Sequence, residues 1–468
     1  MAPVFFAHRI KFLIHTGLYL VLLIIIAITT TPALAQEPAF PEPPAGFGTE
    51  TDDAAVPGGS MPSGTTGEDV SADDSDLLGG EKGIIHPYFS FGTYYTDNFY
   101  NAKDYKKDEV TFIISPGVWM AYPGNHEQLL DVQTSPASTG GLSYGRDTSE
   151  NFRRFQTYLN YRADIEQNYH YSGENLTNHL AEGMLQFNLR GGLTFELMDQ
   201  YVKNHNTRSS SNIGMLDKYG ANLASLTAKW EFTKKIRAEF GYINYMLDYD
   251  AKRNNPMDRM DNSGTAYLFF KFMPKTSAFM QYKYTNVDFD KNVLPDSDQH
   301  DVYMGLDWKI SSKSHGRIKL GYGHKTFSDD AYSDLDTFNL ELDASHQISR
   351  KTTIIARAFS GFNESMITAS RAILANEVSL ELDQKITGKI SMNITGSYHR
   401  DDFQGKMTYG NKTKERNDNF YKAGLEFRYE MLKWLNLAAG YRFLQRDSNF
   451  SAFDYTNNTG YFTVLFFL

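Results

Sequence analysis

The most constraining feature of this sequence is an alternation of apolar with polar or charged residues in segments of about ten residues. In residues 301–310 every second residue is apolar, and 377–386, 389–398 and 422–431 follow the same pattern with few exceptions. A β-strand places successive side chains on opposite faces, so each segment has one apolar and one polar face. Trp, Tyr and Phe stand at the edges of the apolar stripes, where a membrane barrel has its interfacial girdles and a soluble sandwich has fewer rings.

The alternating segments are arranged as hairpins that share short basic turns. Turns at residues 230–236, 270–275, 308–313, 346–351, 384–389 and 429–434 recur about 37 to 45 residues apart, which is the length of a hairpin plus a loop. A propeller has a similar period but does not keep short turns on one side and long loops on the other. The pattern predicts an all-β fold, an antiparallel transmembrane β-barrel of about 18 strands (16–20), with short periplasmic turns and longer extracellular loops.

The region between residues 122 and 152 fits this scheme least well. Residues 123–125 are Pro-Gly-Asn and predict a turn, and residues 126–133 could begin the third strand. Residues 134–152 are rich in Gly, Ser and Thr. We interpret them as an insertion or a plug-like loop.

The amino-acid composition excludes several classes of protein. The chain has no Cys, which excludes a disulfide scaffold and a thiolate metal site. The sequence pI of 5.7 argues against a basic nucleic-acid binder. Its mean hydropathy is −0.46 although it contains 33 Phe and 30 Tyr. One segment alone approaches the length of a spanning helix, so a helical membrane protein is also excluded.

That segment lies at the N-terminus and predicts a signal peptide, residues 1–35. Arg9 and Lys11 precede an apolar core at 17–28, and small residues at the −3 and −1 positions favour cleavage between Ala35 and Gln36. An uncleaved anchor is the alternative. Residues 36–83 follow with six Pro, nine Gly and eleven acidic residues against one Lys, which predicts a disordered periplasmic segment. Residues 84–468 form the predicted barrel.

The last residues of the chain favour an exported barrel. They alternate and end flush on a predicted strand, and the apolar positions are Phe462, Val464, Phe466 and Leu468. This resembles the C-terminal assembly signal of outer-membrane barrels, although those end on an aromatic residue. The signal implies the barrel-assembly machinery as a partner.

Motifs for catalysis are weak. Residues 141–145 match the G-x-S-x-G pattern around Ser143, but neither a strand nor a helix is predicted beside it, as a nucleophile elbow requires. The histidines show no metal-binding spacing. The acidic loops at 296–298 and 329–336 could hold Ca²⁺ loosely, but they are more typical of solvated surface. We therefore predict no catalytic residue, metal or cofactor.

Function should then lie on the inward faces of the strands. These faces carry both signs of charge and also rings, with a basic region at 309–325 and an acidic region at 341–383. The rings at Tyr267, Phe269, Phe279 and Phe359 suit sugar stacking or simple filling of the barrel. The candidate lumen-lining residues are Arg237, Glu239, Lys271, Lys283, Tyr303, Asp307, Lys309, Arg317, Lys319, Glu341, Asp343, Glu377, Glu381, Asp383, Lys385, Arg428 and Arg442.

The chain also resembles a known family. The aromatic first strand at 88–98, which ends in Asp97-Asn98, the Ser-Pro-Gly at 115–117 and residues 175–179 are similar to outer-membrane β-barrel porins found in exopolysaccharide gene clusters. The resemblance covers most of residues 84–468. It implies export of a secreted polysaccharide together with a periplasmic export protein, and it carries over no catalytic residue.

These observations predict a channel in the bacterial outer membrane, in contact with its lipid, that passes polysaccharide outward. A general diffusion or uptake porin is the first alternative. An outer-membrane hydrolase that uses Ser143 with a His on the barrel surface is the second. No nucleic-acid partner is expected.

Overall fold

The computed structural model describes residues 83–467, apart from 125–129, 131, 146–152, 207–215 and 312. The predicted signal peptide, almost all of the acidic segment and Leu468 lie outside the described residues, so the predictions made for them remain predictions. Within the described ranges, no helix has the length and apolar character needed to cross a membrane.

Eighteen antiparallel strands follow one another along the described chain and form one sheet, which confirms the predicted class and strand number. Three single-turn 3-10 helices, at Ser172–Glu174, Asn255–Met257 and Ser451–Phe453, lie in connections between strands. The strands are β1 (Ile85–Thr96), β2 (Glu109–Tyr122), β3 (Phe155–Asn168), β4 (Leu176–Leu189), β5 (Leu193–Asn206), β6 (Asp217–Glu231), β7 (Ile236–Tyr249), β8 (Arg259–Met273), β9 (Thr276–Phe289), β10 (Ser297–Ser311), β11 (Ser314–Phe327), β12 (Leu335–Ser349), β13 (Thr352–Asn363), β14 (Ile373–Lys385), β15 (Ile390–Tyr409), β16 (Lys412–Leu432), β17 (Leu435–Ser448) and β18 (Tyr455–Phe467).

The sheet closes on itself through its first and last strands. Every strand pairs with its neighbours in sequence, and β1 pairs with both β2 and β18, from Tyr88 opposite Phe467 to Thr96 opposite Thr459. A closed barrel has no unpaired edge, so the backbone N–H and C=O groups of the wall can all form hydrogen bonds between strands. A bilayer requires this, because its interior has no water to act as a partner.

The outer surface of the barrel is apolar. Leu306 is 42% exposed and Leu380 is 47% exposed, and Phe462 and Phe466 of β18 are also exposed. Their sequence neighbours on the opposite face are polar, and Glu381 is only 7% exposed. The alternation therefore assigns the apolar face to lipid and the polar face to the lumen.

The two ends of the barrel differ. At one end, which we call the short-turn end, connections such as 274–275 and 350–351 contain two residues; in membrane barrels this end faces the periplasm. The opposite, long-loop end carries longer connections and one extended hairpin, β15–β16. The two strands of this hairpin include most of the polar residues 401–417. They continue to Tyr409 and from Lys412, because Gly410 adopts a φ of 58° and allows a two-residue turn.

The connection between β2 and β3 is the exception at the short-turn end. The third strand begins at Phe155. Of the residues at 126–133 proposed as an earlier start, those that are described lie outside any strand. Residues 132–145 instead turn into the barrel and lie in its interior, in contact with inward-facing side chains of the wall.

Candidate functional site: the lumen and its inner hairpin

Residues 132–145 form a small antiparallel hairpin, the inner hairpin. Thr134 pairs with Leu142. The Ser135 amide donates to the Gly141 carbonyl at 2.9 Å, and the Ser143 amide donates to the Gln133 carbonyl, also at 2.9 Å. The segment rises from the short-turn end and folds back on itself, so residues 134–145 of the expected insertion or plug-like loop lie inside the lumen, and residues 146–152 are outside the described residues.

The tip of the inner hairpin requires glycine. Gly140 and Gly141 have φ angles of 79° and 82°, a region that residues with a Cβ rarely adopt. A Cβ on Gly141 would lie 2.2 Å from Cδ2 of the Tyr245 ring, and one on Gly140 would lie 2.6 Å from Oγ of Ser263. The backbone of the tip is therefore pressed directly against the wall at β7 and β8.

The two arms of the inner hairpin are bonded to well-separated strands. Thr134 Oγ1 donates to Gln200 Oε1 of β5 at 2.8 Å, and Gln200 Nε2 donates to the Val132 carbonyl at 2.9 Å. On the other arm, the Gly145 amide donates to Glu341 Oε1 of β12 at 3.0 Å. The inner hairpin thus crosses the lumen instead of lying along one strand.

A buried group of four charged side chains holds the tip, and we call it the latch cluster: Arg259, Asp261, Lys325 and Glu364. The Gly140 amide donates to Asp261 Oδ2 at 2.8 Å, Thr139 Oγ1 donates to Glu364 Oε1 at 2.7 Å, and Arg259 donates to the Ser138 carbonyl. All four charges are 3% exposed or less. Removing one partner of such a buried pair typically costs about 3–5 kcal/mol, so the latch cluster fixes the tip firmly.

An apolar bed lies beneath the inner hairpin. Val132 and Leu142 pack against a cluster formed mainly by inward-facing residues of strands β2 to β7 and β9. Its most deeply buried members, each 2% exposed or less, are Ala121, Tyr158, Met184, Met198, Leu223, Tyr245, Leu247 and Val287. This part of the lumen is therefore filled by side chains.

Five of the predicted lumen residues line the recess beside the inner hairpin: Glu239, Lys283, Tyr303, Lys319 and Glu341. The ammonium of Lys319 lies 2.9 Å from a Glu341 carboxylate oxygen, and Lys283 Nζ lies 3.4 Å from the Thr139 carbonyl oxygen. The basic region at 309–325 and the acidic region at 341–383 are thus adjacent strands whose charges pair across the ladder.

Nearer the short-turn end the predicted residues form further ion pairs. Arg317 lies 2.7 Å and Arg237 lies 3.9 Å from the carboxylate of Asp307. Farther round the wall, Arg357 joins two predicted acids, Asp343 at 3.3 Å and Glu381 at 3.7 Å. Sequence reasoning missed Arg357, although its position on the inward face of β13 follows from the alternation.

The remaining predicted residues have separate partners. Glu377 pairs with His399 at 3.4 Å, Asp383 accepts from Asn393 at 2.8 Å, Arg428 pairs with Glu426, and Arg442 lies 4.8 Å above the Tyr461 ring. A last group, Lys271, Lys309 and Lys385, is exposed at the short-turn ends of β8, β10 and β14. The lining of a conducting path by these residues remains a prediction.

Two of the inward-facing rings are covered, whereas Tyr267, Tyr303 and Phe359 are half-buried and line the recess. Phe269 and Phe279 are 2% and 3% exposed, and their ring centroids lie 5.1 Å apart. The guanidinium of Arg237 lies 3.8 Å above the Phe269 ring. Of the two interpretations from sequence, sugar stacking and barrel filling, the geometry at these two rings favours filling.

Ser143 lies on the returning arm of the inner hairpin. The recess that it lines contains no histidine among the described lining residues, and Ser143 is inside the barrel instead of on its surface. Among the described residues, no group of three or more His, Asp or Glu side chains is close enough together to hold a metal ion.

Sequence reasoning missed the apolar bed and the latch cluster. A signal for the bed was present, because apolar residues occur on both faces of β6 and β7. In β6 the inward positions Tyr219, Ala221 and Leu223 are apolar, and so are the outward positions Ala224 and Leu226. A barrel strand whose inward face is also apolar must pack against something other than water. No comparable signal marks the latch cluster, whose members come from β8, β11 and the segment after β13.

Comparison with known proteins gives one family match. The family model described as "Putative beta-barrel porin 2" matches residues 83–466, which include essentially the whole barrel. No curated protein matches the chain in sequence.

Solved structures match at low similarity. The outer membrane protein OpdK from Pseudomonas aeruginosa is 9% identical with a TM-score of 0.41, and the match covers 82% of this chain and 98% of that chain. OccAB4 from Acinetobacter baumannii is 10% identical with a TM-score of 0.42, covering 83% and 98%. The FrpB iron transporter from Neisseria meningitidis is 9% identical with a TM-score of 0.39, covering 77% and 62%. These similarities are too low to support a conclusion about function.

Proposed function

Because the chain belongs to the family described as "Putative beta-barrel porin 2" and is a porin-like channel of the bacterial outer membrane, we propose that it passes carbohydrate and that its specific function is export of a secreted polysaccharide. The barrel sits in outer-membrane lipid and passes hydrophilic solutes. The cargo, the outward direction and a periplasmic export protein as partner are the parts that we propose.

One observation carries the proposal: the inward face of β14–β17 bears polar groups whose charges are balanced. The Asn393 amide donates to both Glu381 and Asp383, and Arg428 pairs with Glu426. A wall of this kind offers a sugar many weak hydrogen-bonding partners and no single strong site. Conduction requires such weak, multiple binding, since a tightly held cargo would not leave.

The path that we propose runs beside the inner hairpin. Hydrogen bonds attach the hairpin to β5, β8, β9, β12 and β13 and to the segment after β13, so the space that borders β14–β17 is the candidate passage. A barrel of about 16–18 strands is wide enough to hold water unless it is filled.

The inner hairpin also favours a second candidate, a diffusion porin for small solutes. A segment bonded across the lumen narrows the passage, and a narrow passage selects solutes by size. Under this alternative the hairpin stays in place and no polymer crosses.

Deletion of the gene separates the two candidates. Export predicts that polymer disappears from the cell surface and is retained behind the outer membrane, while uptake of small nutrients is unchanged. Normal surface polysaccharide together with slower growth on a small solute would overturn export in favour of the porin.

Purified barrel in planar bilayers gives an independent test. Export predicts that long neutral or charged glycan chains transiently reduce the ionic current, because a chain enters and slides. A current that is reduced by disaccharides but is indifferent to longer chains would support the small-solute porin.

A further inference from the structure

The connections at the short-turn end carry a strong positive charge. The turns 190–192, 232–235, 274–275, 312–313, 350–351, 386–389 and 433–434 contain nine basic residues and no acidic one. All nine side chains are exposed. We call them the basic rim: Arg190, Lys234, Lys235, Lys275, Lys313, Arg350, Lys351, Lys389 and Lys433.

This charge does not depend on any single ion pair. Among the two strand residues on either side of each of these turns, Glu231 is acidic, and Arg237 and Lys385 are basic. The sequence of the β2–β3 connection, residues 123–154, adds four acids and three bases. These two additions cancel each other, so the excess of positive charge at this end is that of the basic rim itself.

The loops at the long-loop end have the opposite balance. Their described residues include thirteen acids and seven bases. The basic character therefore belongs to one end of the barrel and does not follow from the composition of the chain, whose formal net charge is −10.

The most acidic part of the chain is joined to the barrel at the basic end. Ile85 at the start of β1 pairs with Met120 near the end of β2, so the residues that precede Gly83 are attached at the short-turn end. Residues 42–82, which we call the acidic arm, contain ten acidic residues and one Lys. The ten carboxylates of the arm match the nine charges of the basic rim in number.

The covalent connection between arm and barrel favours their association. Ion pairs between exposed side chains are individually weak, so no single base of the rim would hold the arm. A tether raises the effective concentration of the arm to roughly the millimolar range, and many weak contacts then act together. The length is sufficient, because forty-one residues reach up to about 140 Å, and eighteen strands enclose a mouth roughly 35 Å across.

We propose that the acidic arm docks on the basic rim of its own barrel, with its carboxylates paired to the lysines and arginines of the short turns. The competing occupants of the rim are anionic lipid headgroups and the arm of a second copy of this chain. The inference goes beyond the proposed function and holds whichever solute the barrel passes.

Zero-length carbodiimide cross-linking tests the inference with the full-length protein in uncharged detergent micelles. The reagent joins an ammonium to a carboxylate in contact with it, and mass spectrometry identifies the two residues. We expect cross-links between the acidic arm and the rim lysines at about 0.01 M salt. At about 1 M salt they should fall at least roughly fivefold, because the Debye length shortens from about 30 Å to about 3 Å.

A fixed ion pair at the long-loop end is the internal reference. Lys103 Nζ lies 3.3 Å from the Asp454 carboxylate and also donates to the Ser451 carbonyl at 2.8 Å. The fold holds this pair in place, so its cross-link should form at both salt concentrations. A missing cross-link between arm and rim then reports on docking and not on the reagent.

Charge variants with a matched control test whether the bases of the rim act together. K234Q/K235Q removes two charges from the rim and should lower the cross-links at the neighbouring Lys275 by roughly twofold or more. K406Q/K412Q removes two exposed charges at the long-loop end and should leave them unchanged. Slower migration of each variant after boiling than before boiling would confirm that its barrel is folded.

The remaining outcomes decide which occupant binds the rim. Absence of arm–rim cross-links beside a normal reference pair overturns docking. So do cross-links that salt leaves unchanged, because proximity from the tether alone does not depend on charge. In a mixture of isotopically labelled and unlabelled protein, cross-links within one isotopic form support docking in the same chain, and cross-links between the two forms assign the arm to a second copy and overturn it.

Vesicles of phosphatidylcholine and phosphatidylglycerol give the last comparison. If the arm–rim cross-links are lost there but form in micelles, lipid headgroups occupy the rim in a membrane, and the inference is overturned. The same cross-links in vesicles and in micelles support it.

Discussion

The inner faces of two parts of the same wall differ, although their outer faces are alike. In β5–β9, which we call the packed sector, the inward positions include Met198, Leu223 and Tyr245, all buried beneath the inner hairpin. In β14–β17, the open sector, they include Glu381 and Arg428. The alternation of apolar and polar residues along a barrel strand therefore depends on what fills the lumen beside it. It is regular where the inward face meets polar surroundings, and it is lost where the inward face packs against other parts of the protein.

The largest effect should follow removal of the inner hairpin. Replacing residues 132–145 by a short Gly/Ser link would expose the packed sector to water and convert it into a second open sector. We expect single-channel conductance to rise roughly twofold or more, since the unfilled lumen of a barrel this size conducts freely. Planar-bilayer recordings measure it.

Shortening the loop at 328–334 by a similar replacement is the control, because that loop lies at the long-loop end and is not part of the inner hairpin. Unchanged conductance after the hairpin is removed would mean that the passage is limited elsewhere and that the two sectors do not differ in their contribution to flow.

Most of the fold could be predicted from sequence, and the reason lies in the outer face. Lipid requires an apolar outward face on every strand. Apolar residues such as Leu306 and Leu380 therefore recur at every second position, and this pattern identifies each strand, the face that each residue occupies and the number of strands. The short basic turns indicate where one strand ends and the next begins. The lengths of β15 and β16 could not be predicted. The polar residues 401–417 are as typical of a loop as of a hairpin that extends beyond the membrane.

The site could be predicted only in part, because its contacts join distant parts of the chain. Alternation places Lys319 and Glu341 on inward faces, and their pairing follows once β11 and β12 are adjacent. Glu364 is different, since it lies outside any strand and meets Thr139, 225 positions earlier in sequence. Such a contact depends on how a loop folds into the lumen, for which neither periodicity nor composition gives a rule.

A second test compares a buried polar substitution in the two sectors. Leu223→Asn places an amide in the apolar bed, where Leu223 is 0% exposed, and should cost about 3–5 kcal/mol of unfolding free energy. Ser379→Asn, on the inward face of the open sector, should change it by less than about 0.5 kcal/mol. Urea titration of barrel folded into lipid vesicles measures both, and equal costs would contradict a packed lumen at β6.

The outer faces should not distinguish the sectors. Leu226 of β6 and Leu380 of β14 are 48% and 47% exposed on the lipid side. Arg at either position should cost about 2–4 kcal/mol near the bilayer midplane. The same urea titration applies, with Ser379→Arg as the control that faces the lumen. A cost at Leu226 that differs by more than about 1 kcal/mol from that at Leu380 would show that the difference between sectors extends through the wall.

The smallest effect concerns a single bond between the inner hairpin and the packed sector. Thr134→Val keeps the shape of the side chain but removes the hydrogen bond from Oγ1 to Gln200 Oε1. Such a bond contributes about 1 kcal/mol net, so amides of residues 132–145 should exchange roughly fivefold faster by mass spectrometry, while amides of the wall are unchanged. Thr395→Val in the open sector is the isosteric control and should leave exchange of the hairpin as it was. If Thr134→Val also leaves it unchanged, the other contacts of the hairpin hold it, and the bond from Thr134 Oγ1 to Gln200 contributes nothing to closing the packed sector.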